Sequence, residues 1–143
     1  MSDEHDMGLW ELTFPSAVLD SLSANIAVLD PGGKILAVNL SWKEFADSNQ
    51  LEDRSACVGA IYLDVCRSAS PDPNARAALD GIQAVISGEL STFYHKYPCH
   101  SRSELRWFAL RASPLRNHSN FVVVSHQDIT EQVLTRISPR LPR

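Results

Sequence analysis

Two apolar runs on either side of a short turn constrain this chain most. Residues 25–30 and 34–39 are largely apolar, and only Pro31, Gly32 and Gly33 separate them. Proline presets φ at the second position of a turn and glycine tolerates a positive φ at the third, so the segment predicts a type II turn that closes a β-hairpin. Any sheet that contains this hairpin starts from an antiparallel pair of strands.

The segment after residue 71 predicts one long amphipathic helix. Asp72 is a good N-cap, Pro73 is tolerated at the first helical position, and Gly88 supplies a C-terminal stop. Apolar residues recur between them at the i, i+3, i+4, i+7 spacing of a buried stripe; they are Ala75, Ala78, Leu79, Ile82, Val85 and Ile86. This stripe is expected to pack on a sheet.

Three shorter helices are predicted before the long one. The first begins at Pro15, the second follows Asn39 with Ser41 as its cap, and the third begins near Ile61. None of them is long enough to be stable alone.

The C-terminal half predicts three strands. Side chains alternate along residues 92–97, residues 105–115 are rich in apolar residues, and residues 121–129 open with a β-branched run; a polar turn at 117–120 separates the last two. Two strands, several helices and three strands in this order indicate an α+β fold in which helices cover one face of a single antiparallel sheet.

Composition excludes several classes of protein. The 143 residues suit one domain, and 44% hydrophobic with 21% charged residues is ordinary globular usage. The net charge of −4 and the scattered basic residues argue against direct nucleic-acid binding.

An acidic start and the lack of a long apolar run argue against a signal peptide or a membrane span, so we expect a cytoplasmic protein. Cys57, Cys66 and Cys99 are expected to stay reduced.

Several segments, taken in order, resemble the PAS family from about Pro15 to Gln132. They are Val38-Asn39, Gly59-Ala60-Ile61-Tyr62, Ser87-Gly88-Glu89, Arg106-Trp107-Phe108 and Asp128-Ile129-Thr130. Residues 97–101, ahead of Arg106, are similar to the version in bacterial sensor kinases of two-component systems and in cyclic-dinucleotide enzymes. The resemblance implies a five-stranded sheet in the order 2-1-5-4-3 with a helical cup on one face. In the family that cup holds a small molecule or packs itself solid.

The resemblance divides the chain into a leader (1–14), a PAS domain (15–132) and a linker or the start of a signalling helix (133–143). Asp128 and Thr130 would join the sheet to that helix and relay a signal. The output domain is expected on a missing part of a longer protein or on a separate partner. A homodimer is expected, with interface candidates in the leader and on the sheet face; they are Leu9, Trp10, Leu12 and Trp107.

The cofactors known in the family fit the residues poorly. Flavin photoreceptors of the family need a thiol in a Gly-x-Asn-Cys-Arg motif. When Gly59 is aligned with the glycine of that motif, Tyr62 falls at or next to the position of the thiol, and Cys66 lies a helical turn beyond that position. Haem sensors commonly use a histidine of the long helix, and residues 72–87 contain none, although His95 or Cys99 could substitute. No spacing indicates a metal site or a catalytic pair, so neither is predicted and no enzyme is expected. The ligand is left unidentified.

Ligand-binding candidates line the expected cup, and each has a structural alternative. If Val122, Val124 and His126 share a face, His126 falls where flavin-binding relatives carry a ligand-contacting glutamine, or it is a sheet residue satisfied by the backbone. Aromatic residues at period two are more often core residues than binding residues, and Asn39 at a strand end favours capping of the following helix over contact with a ligand. The candidates are Asn39, Trp42, Tyr62, Cys66, Phe93, His95, Tyr97 and His126.

Two functions follow as hypotheses. The first is a sensory module that binds a small molecule in a pocket bounded by Trp42, Tyr62, Phe93 and His126. The alternative is a ligand-free module that mediates dimerisation.

Overall fold

The computed structural model describes residues 14–48, 57–100 and 102–137. The strands are β1 Asn25–Leu29, β2 Ile35–Val38, β3 Phe93–Pro98, β4 Trp107–Pro114 and β5 Val122–Asp128. The helices are α1 (14–21), α2 Leu40–Ser48, α3 Tyr62–Ser68, α4 Pro73–Ser87 and α5 Thr130–Ile137. All strand pairs are antiparallel, in the order β2-β1-β5-β4-β3. The expected α+β fold and strand order are confirmed.

The turn of the β1–β2 hairpin differs from the predicted type. Gly33 donates its N–H to the Asp30 carbonyl at 2.9 Å, and the positive φ of 87° lies at Gly33, the fourth residue of the turn, rather than at Gly32. The type II prediction was therefore wrong. The reason is the Asp30 carboxylate, which accepts hydrogen bonds from the N–H groups of Gly32 and Lys34, each at 2.9 Å, and so stabilises a different turn.

Asn39, and not Ser41, caps α2. Its Oδ1 accepts hydrogen bonds from the N–H groups of Ile26 at 2.9 Å and Trp42 at 3.1 Å. Its Nδ2 donates to the carbonyls of Leu19 and Ala24, both at 2.9 Å. The predicted cap at Ser41 was wrong, because the buried amide takes that position and the Ser41 hydroxyl donates instead to the Leu22 carbonyl at 2.7 Å.

The long helix forms as its sequence predicts. The Asp72 side chain accepts a hydrogen bond from Asn74 N–H at the N-terminus, and Gly88 ends the helix with a left-handed φ of 86°. Its apolar stripe packs on β3, β4 and β5, while α2 packs on β1. The core therefore lies between one sheet face and the helices, and the largest fully buried apolar side chains of the described residues are Leu29, Ile35, Ile82, Leu110, Val122 and Val124.

Some sequence predictions fall outside this description. The leader residues Leu9, Trp10 and Leu12 lie beyond the described ranges. Within those ranges, the helices are all too short or too polar to cross a bilayer.

We predict that Gly33→Ala destabilises the domain more than Gly59→Ala. Both glycines have positive φ, but a Cβ at Gly33 would lie 2.4 Å from Leu63 Cγ, whereas one at Gly59 meets nothing within 4 Å. The Gly59 variant should lose about 1 kcal/mol of unfolding free energy from backbone strain alone. The Gly33 variant should lose a further ~1–3 kcal/mol from overpacking, measured by urea denaturation. Equal losses of unfolding free energy in the two variants would show that the Leu63 side chain moves aside at no energetic cost, and would contradict the prediction.

Candidate functional site

The inner face of β5 carries His126 at the centre of the sheet. His126 pairs with Asn25 of β1 on one side and with Leu110 of β4 on the other. Alternation along β5 gives it the same face as the buried Val122 and Val124. The sheet therefore directs the imidazole towards the helices.

His126 is held between two phenol groups. Its Nε2 lies 2.9 Å from the Tyr62 hydroxyl, which comes from the first turn of α3, and its Nδ1 lies 2.6 Å from the Tyr97 hydroxyl, on β3. The Trp42 ring packs against both Tyr62 and His126, with centroids 5.5 and 5.7 Å away. Three elements far apart in the sequence thus meet at one imidazole.

Burial keeps this cluster uncharged at neutral pH. Desolvation lowers the pKa of His126 to about 4, because the charged imidazolium loses its hydration. The same effect raises the pKa of Cys66 to about 11, and it raises the pKa values of Tyr62 and Tyr97 well above their ordinary value. His126 is accordingly a neutral ring with one N–H and one bare nitrogen.

A cavity of about 220 Å³ opens beside the cluster. Helices α3 and α4 contribute most of its lining, and the sheet contributes Tyr97 and His126. Among the lining residues, Ala69 and Asp72 are exposed. The lining residues are Tyr62, Val65, Cys66, Ala69, Asp72, Asn74, Ala75, Ala78, Tyr97 and His126.

A row of stacked rings on β3 bounds the neighbouring space. Phe93, His95 and Tyr97 stack at centroid distances of 6.1 and 6.3 Å with nearly parallel planes. The Phe93 ring lies against Gly81 of α4, where a Cβ would come within 2.4 Å of it. His95 Nε2 and Asn74 Oδ1 are 3.0 Å apart, which ties β3 to the start of α4.

The structure brings together four of the eight predicted ligand-binding residues. Tyr62, Cys66, Tyr97 and His126 line the cavity. Trp42, Phe93 and His95 pack next to this site without lining the cavity. The sequence predicted a pocket bounded in part by Trp42 and Phe93. In the structure, residues of α3 and of the first turns of α4 line the cavity in their place.

Asn39 lies outside the cavity. An amide side chain offers two lone pairs and two N–H groups, and backbone groups use all four. It has no capacity left for a ligand, so the structure assigns it the capping role.

The remaining lining residues were not singled out from the sequence. Their signal was nevertheless present in α4, where Ala75 and Ala78 occupy the buried stripe with small side chains that leave space against the sheet. Asn74 follows the predicted N-cap and gave no signal of its own. No group of three or more potential metal ligands occurs within the ranges that the structure describes.

The joint after β5 is held by backbone and side-chain hydrogen bonds. The Asp128 carboxylate accepts a hydrogen bond from Thr130 N–H at 2.9 Å. The Thr130 hydroxyl accepts one from Trp107 N–H at 3.0 Å, and Ile129 N–H donates to the Trp107 carbonyl at 2.8 Å. The half-buried Trp107 thereby fixes the start of α5 to β4.

Comparison with known proteins agrees with this architecture. The family model described as PAS fold matches residues 19–134, which is most of the chain. The chain belongs to the PAS family. A 104.1 kDa protein of Rhodobacter capsulatus, described as an uncharacterized protein in the hypE 3' region, is 37% identical over 118 residues. That match covers 80% of this chain but only 12% of the longer protein.

Solved PAS domains have the same fold. The PAS domain of Bordetella pertussis BvgS has a TM-score of 0.58 at 17% identity, covering 89% of this chain and 93% of that one. The PAS domain of the Cronobacter turicensis quorum-sensing receptor RpfR, solved in complex with C12:0, has a TM-score of 0.51 at 16% identity, covering 78% and 99%. At such identities the likeness establishes the fold alone.

We predict that His126 makes the PAS domain acid-sensitive. Its pKa of about 4 lies below the ordinary 6.5, so between these values the unfolded chain binds a proton that the folded one excludes. Stability should be unaffected above pH 6.5 and should fall by about 3 kcal/mol as pH drops to 4. Urea unfolding at several pH values should show this loss in the wild type and not in His126→Gln.

Exposed His118 supplies the control for this experiment. His118→Gln should lose stability in acid as the wild type does. If the wild type and His126→Gln declined in parallel, the buried neutral imidazole would be disproved.

Proposed function

We propose that this PAS domain is the sensory module of a bacterial signal-transduction protein and binds a small molecule in the cavity beside His126. The observation that carries this proposal is a hollow of about 220 Å³ next to a half-buried polar cluster, the side chains of Tyr62, Tyr97 and His126. The proposal assigns the domain recognition and no catalytic step.

The size of the cavity limits the ligand. A dry engineered cavity of about 150 Å³ takes benzene, and pockets for drug-sized molecules begin near 300 Å³. A hollow of about 220 Å³ suits a molecule somewhat larger than benzene. Its walls from Val65, Cys66, Ala75 and Ala78 favour an apolar body, and the phenols and His126 offer polar contacts at one end.

A route for the signal runs along β5. His126 is two residues from Asp128, whose carboxylate bonds to the first residue of α5. A ligand that favours one position of His126 would shift the population of two arrangements at this joint, and α5 would pass the change to an output domain or partner protein. The proposed setting is the cytoplasm.

A structural neighbour is in keeping with a binding function for a domain of this fold. The RpfR PAS domain was solved in complex with C12:0. In the present chain the cavity is lined in part by Tyr62, Tyr97 and His126.

We predict that Ala75→Leu abolishes ligand binding while Ala77→Leu does not. Both positions lie on α4 and are half-buried, but only Ala75 lines the cavity. Ligand-observed NMR with a fragment library should give hits for the wild type and Ala77→Leu that disappear in Ala75→Leu. No hits for the wild type, or equal binding by both variants, would contradict binding at this site.

A second candidate function is dimerisation, and an observation on α1 favours it. Polar contacts hold this helix: Asn39 bonds to the Leu19 carbonyl, and the Asp20 carboxylate accepts a hydrogen bond from Leu40 N–H at 2.8 Å. Its apolar side chains nevertheless stay exposed, at 45% for Val18 and 38% for Leu19. An apolar helix face of this kind suits contact with a second copy of the chain.

We predict that Val18→Glu converts a homodimer of the full chain into a monomer. Leu36→Glu, at an equally exposed residue of β2, should leave the dimer intact. Size-exclusion chromatography with light scattering measures both. A monomeric wild type would exclude homodimerisation by the isolated chain.

A further inference from the structure

The hydrogen bonds at His126 leave one phenol hydrogen without an acceptor among the residues that the structure describes. A neutral imidazole donates one hydrogen bond and accepts one. Of the two phenols at its nitrogens, one must therefore donate to the ring and the other must accept from it. The accepting phenol keeps its own hydroxyl hydrogen, and neither Tyr62 nor Tyr97 has a second hydrogen-bonding partner among the described residues.

The two distances identify which phenol accepts. Hydrogen bonds donated by O–H are shorter, near 2.7–2.8 Å, than those donated by N–H, near 2.9–3.0 Å, as general tendencies. The Tyr97 hydroxyl lies 2.6 Å from Nδ1, which matches O–H donation to a bare nitrogen. The Tyr62 hydroxyl lies 2.9 Å from Nε2, which matches donation by the ring N–H. The surplus hydrogen thus belongs to Tyr62, a residue that lines the cavity.

Charge around the cavity restricts what can take this hydrogen. The only charged side chain among the described lining residues is Asp72, and its carboxylate already engages the N-terminus of α4 through Asn74 N–H. An anionic ligand would find no cation there and would be repelled by Asp72. Burying an unpaired carboxylate is costly, whereas a neutral carbonyl oxygen needs only one donor.

We propose that the cavity selects uncharged molecules with an apolar body and a carbonyl oxygen, and that the Tyr62 hydroxyl donates the hydrogen bond that recognises this oxygen. The inference rests on the proposed function, since it names the class of ligand for the same site. Binding would give the surplus hydrogen an acceptor without changing the protonation of His126.

Three probes of nearly identical shape test this selection on the full wild-type chain at pH 7. Acetophenone presents a neutral carbonyl oxygen, α-methylstyrene replaces that oxygen with a methylene group, and benzoate carries a negative charge. Amide chemical-shift titration should show acetophenone binding roughly fivefold more tightly than α-methylstyrene, the value of about one net hydrogen bond. Benzoate should bind most weakly.

The outcomes separate this inference from the proposed function. Equal affinity for acetophenone and α-methylstyrene would overturn the role of the surplus hydrogen while leaving a cavity that binds small molecules. Tightest binding of benzoate would overturn the preference for uncharged ligands. Failure of all three probes to bind would overturn both proposals.

A variant pair locates the donor. Tyr62→Phe should remove the fivefold preference, so that both neutral probes bind alike, whereas Tyr94→Phe, on an exposed tyrosine of β3, should retain it. The preference compares two ligands on the same protein, so a general loss of stability does not mimic the result. Retention of the preference in Tyr62→Phe would overturn the assignment.

The tautomer of His126 gives an independent measurement that needs no variant. In the ligand-free wild type at pH 7, side-chain ¹⁵N NMR should show a protonated Nε2 and a bare Nδ1. The reverse pattern would move the surplus hydrogen to Tyr97 and overturn the role of Tyr62.

Discussion

The antiparallel pairing of β1 with β5 is the contact on which the cup depends. Five residue pairs, from Asn25 with His126 to Leu29 with Val122, join the N-terminal hairpin to the C-terminal strands. The intervening α2, α3 and α4 are therefore confined to one face, where their apolar sides are buried. His126 belongs to this ladder, so its position follows from the register of the central strands rather than from a mobile loop.

The order of elements could be predicted from the sequence because each carries a local signal. Residues only a few positions apart in the sequence determine the caps and the apolar stripe of α4, the alternation in β3 and the turn at residues 31–33. The resemblance to the PAS family then supplied the strand order. Where two local signals competed, the sequence left both open: Asn39 and Ser41 could each cap α2, and only tertiary burial of the amide decides in favour of Asn39.

The candidate site could be predicted only in part, because local sequence signals identify some of its residues and not the shape of the cavity. His126 and Tyr62 could be singled out, since alternation on β5 and the family pattern before α3 point to the cup. The cavity could not be placed, because its volume depends on how α3 and α4 approach the sheet. Small residues such as Ala78 leave space there, whereas Trp42 and Phe93 fill the space that the sequence assigned to a ligand.

The four hydrogen bonds of Asn39 also have a mechanical consequence. One buried amide connects the end of α1, the start of β1 and the first turn of α2. Displacing α1 would break the bond to the Leu19 carbonyl and leave one N–H of the buried Asn39 amide unpaired, which is more costly than losing a single surface contact. A push on the N-terminal helix is therefore transmitted to the interior strand β1 instead of being absorbed by the connecting segment.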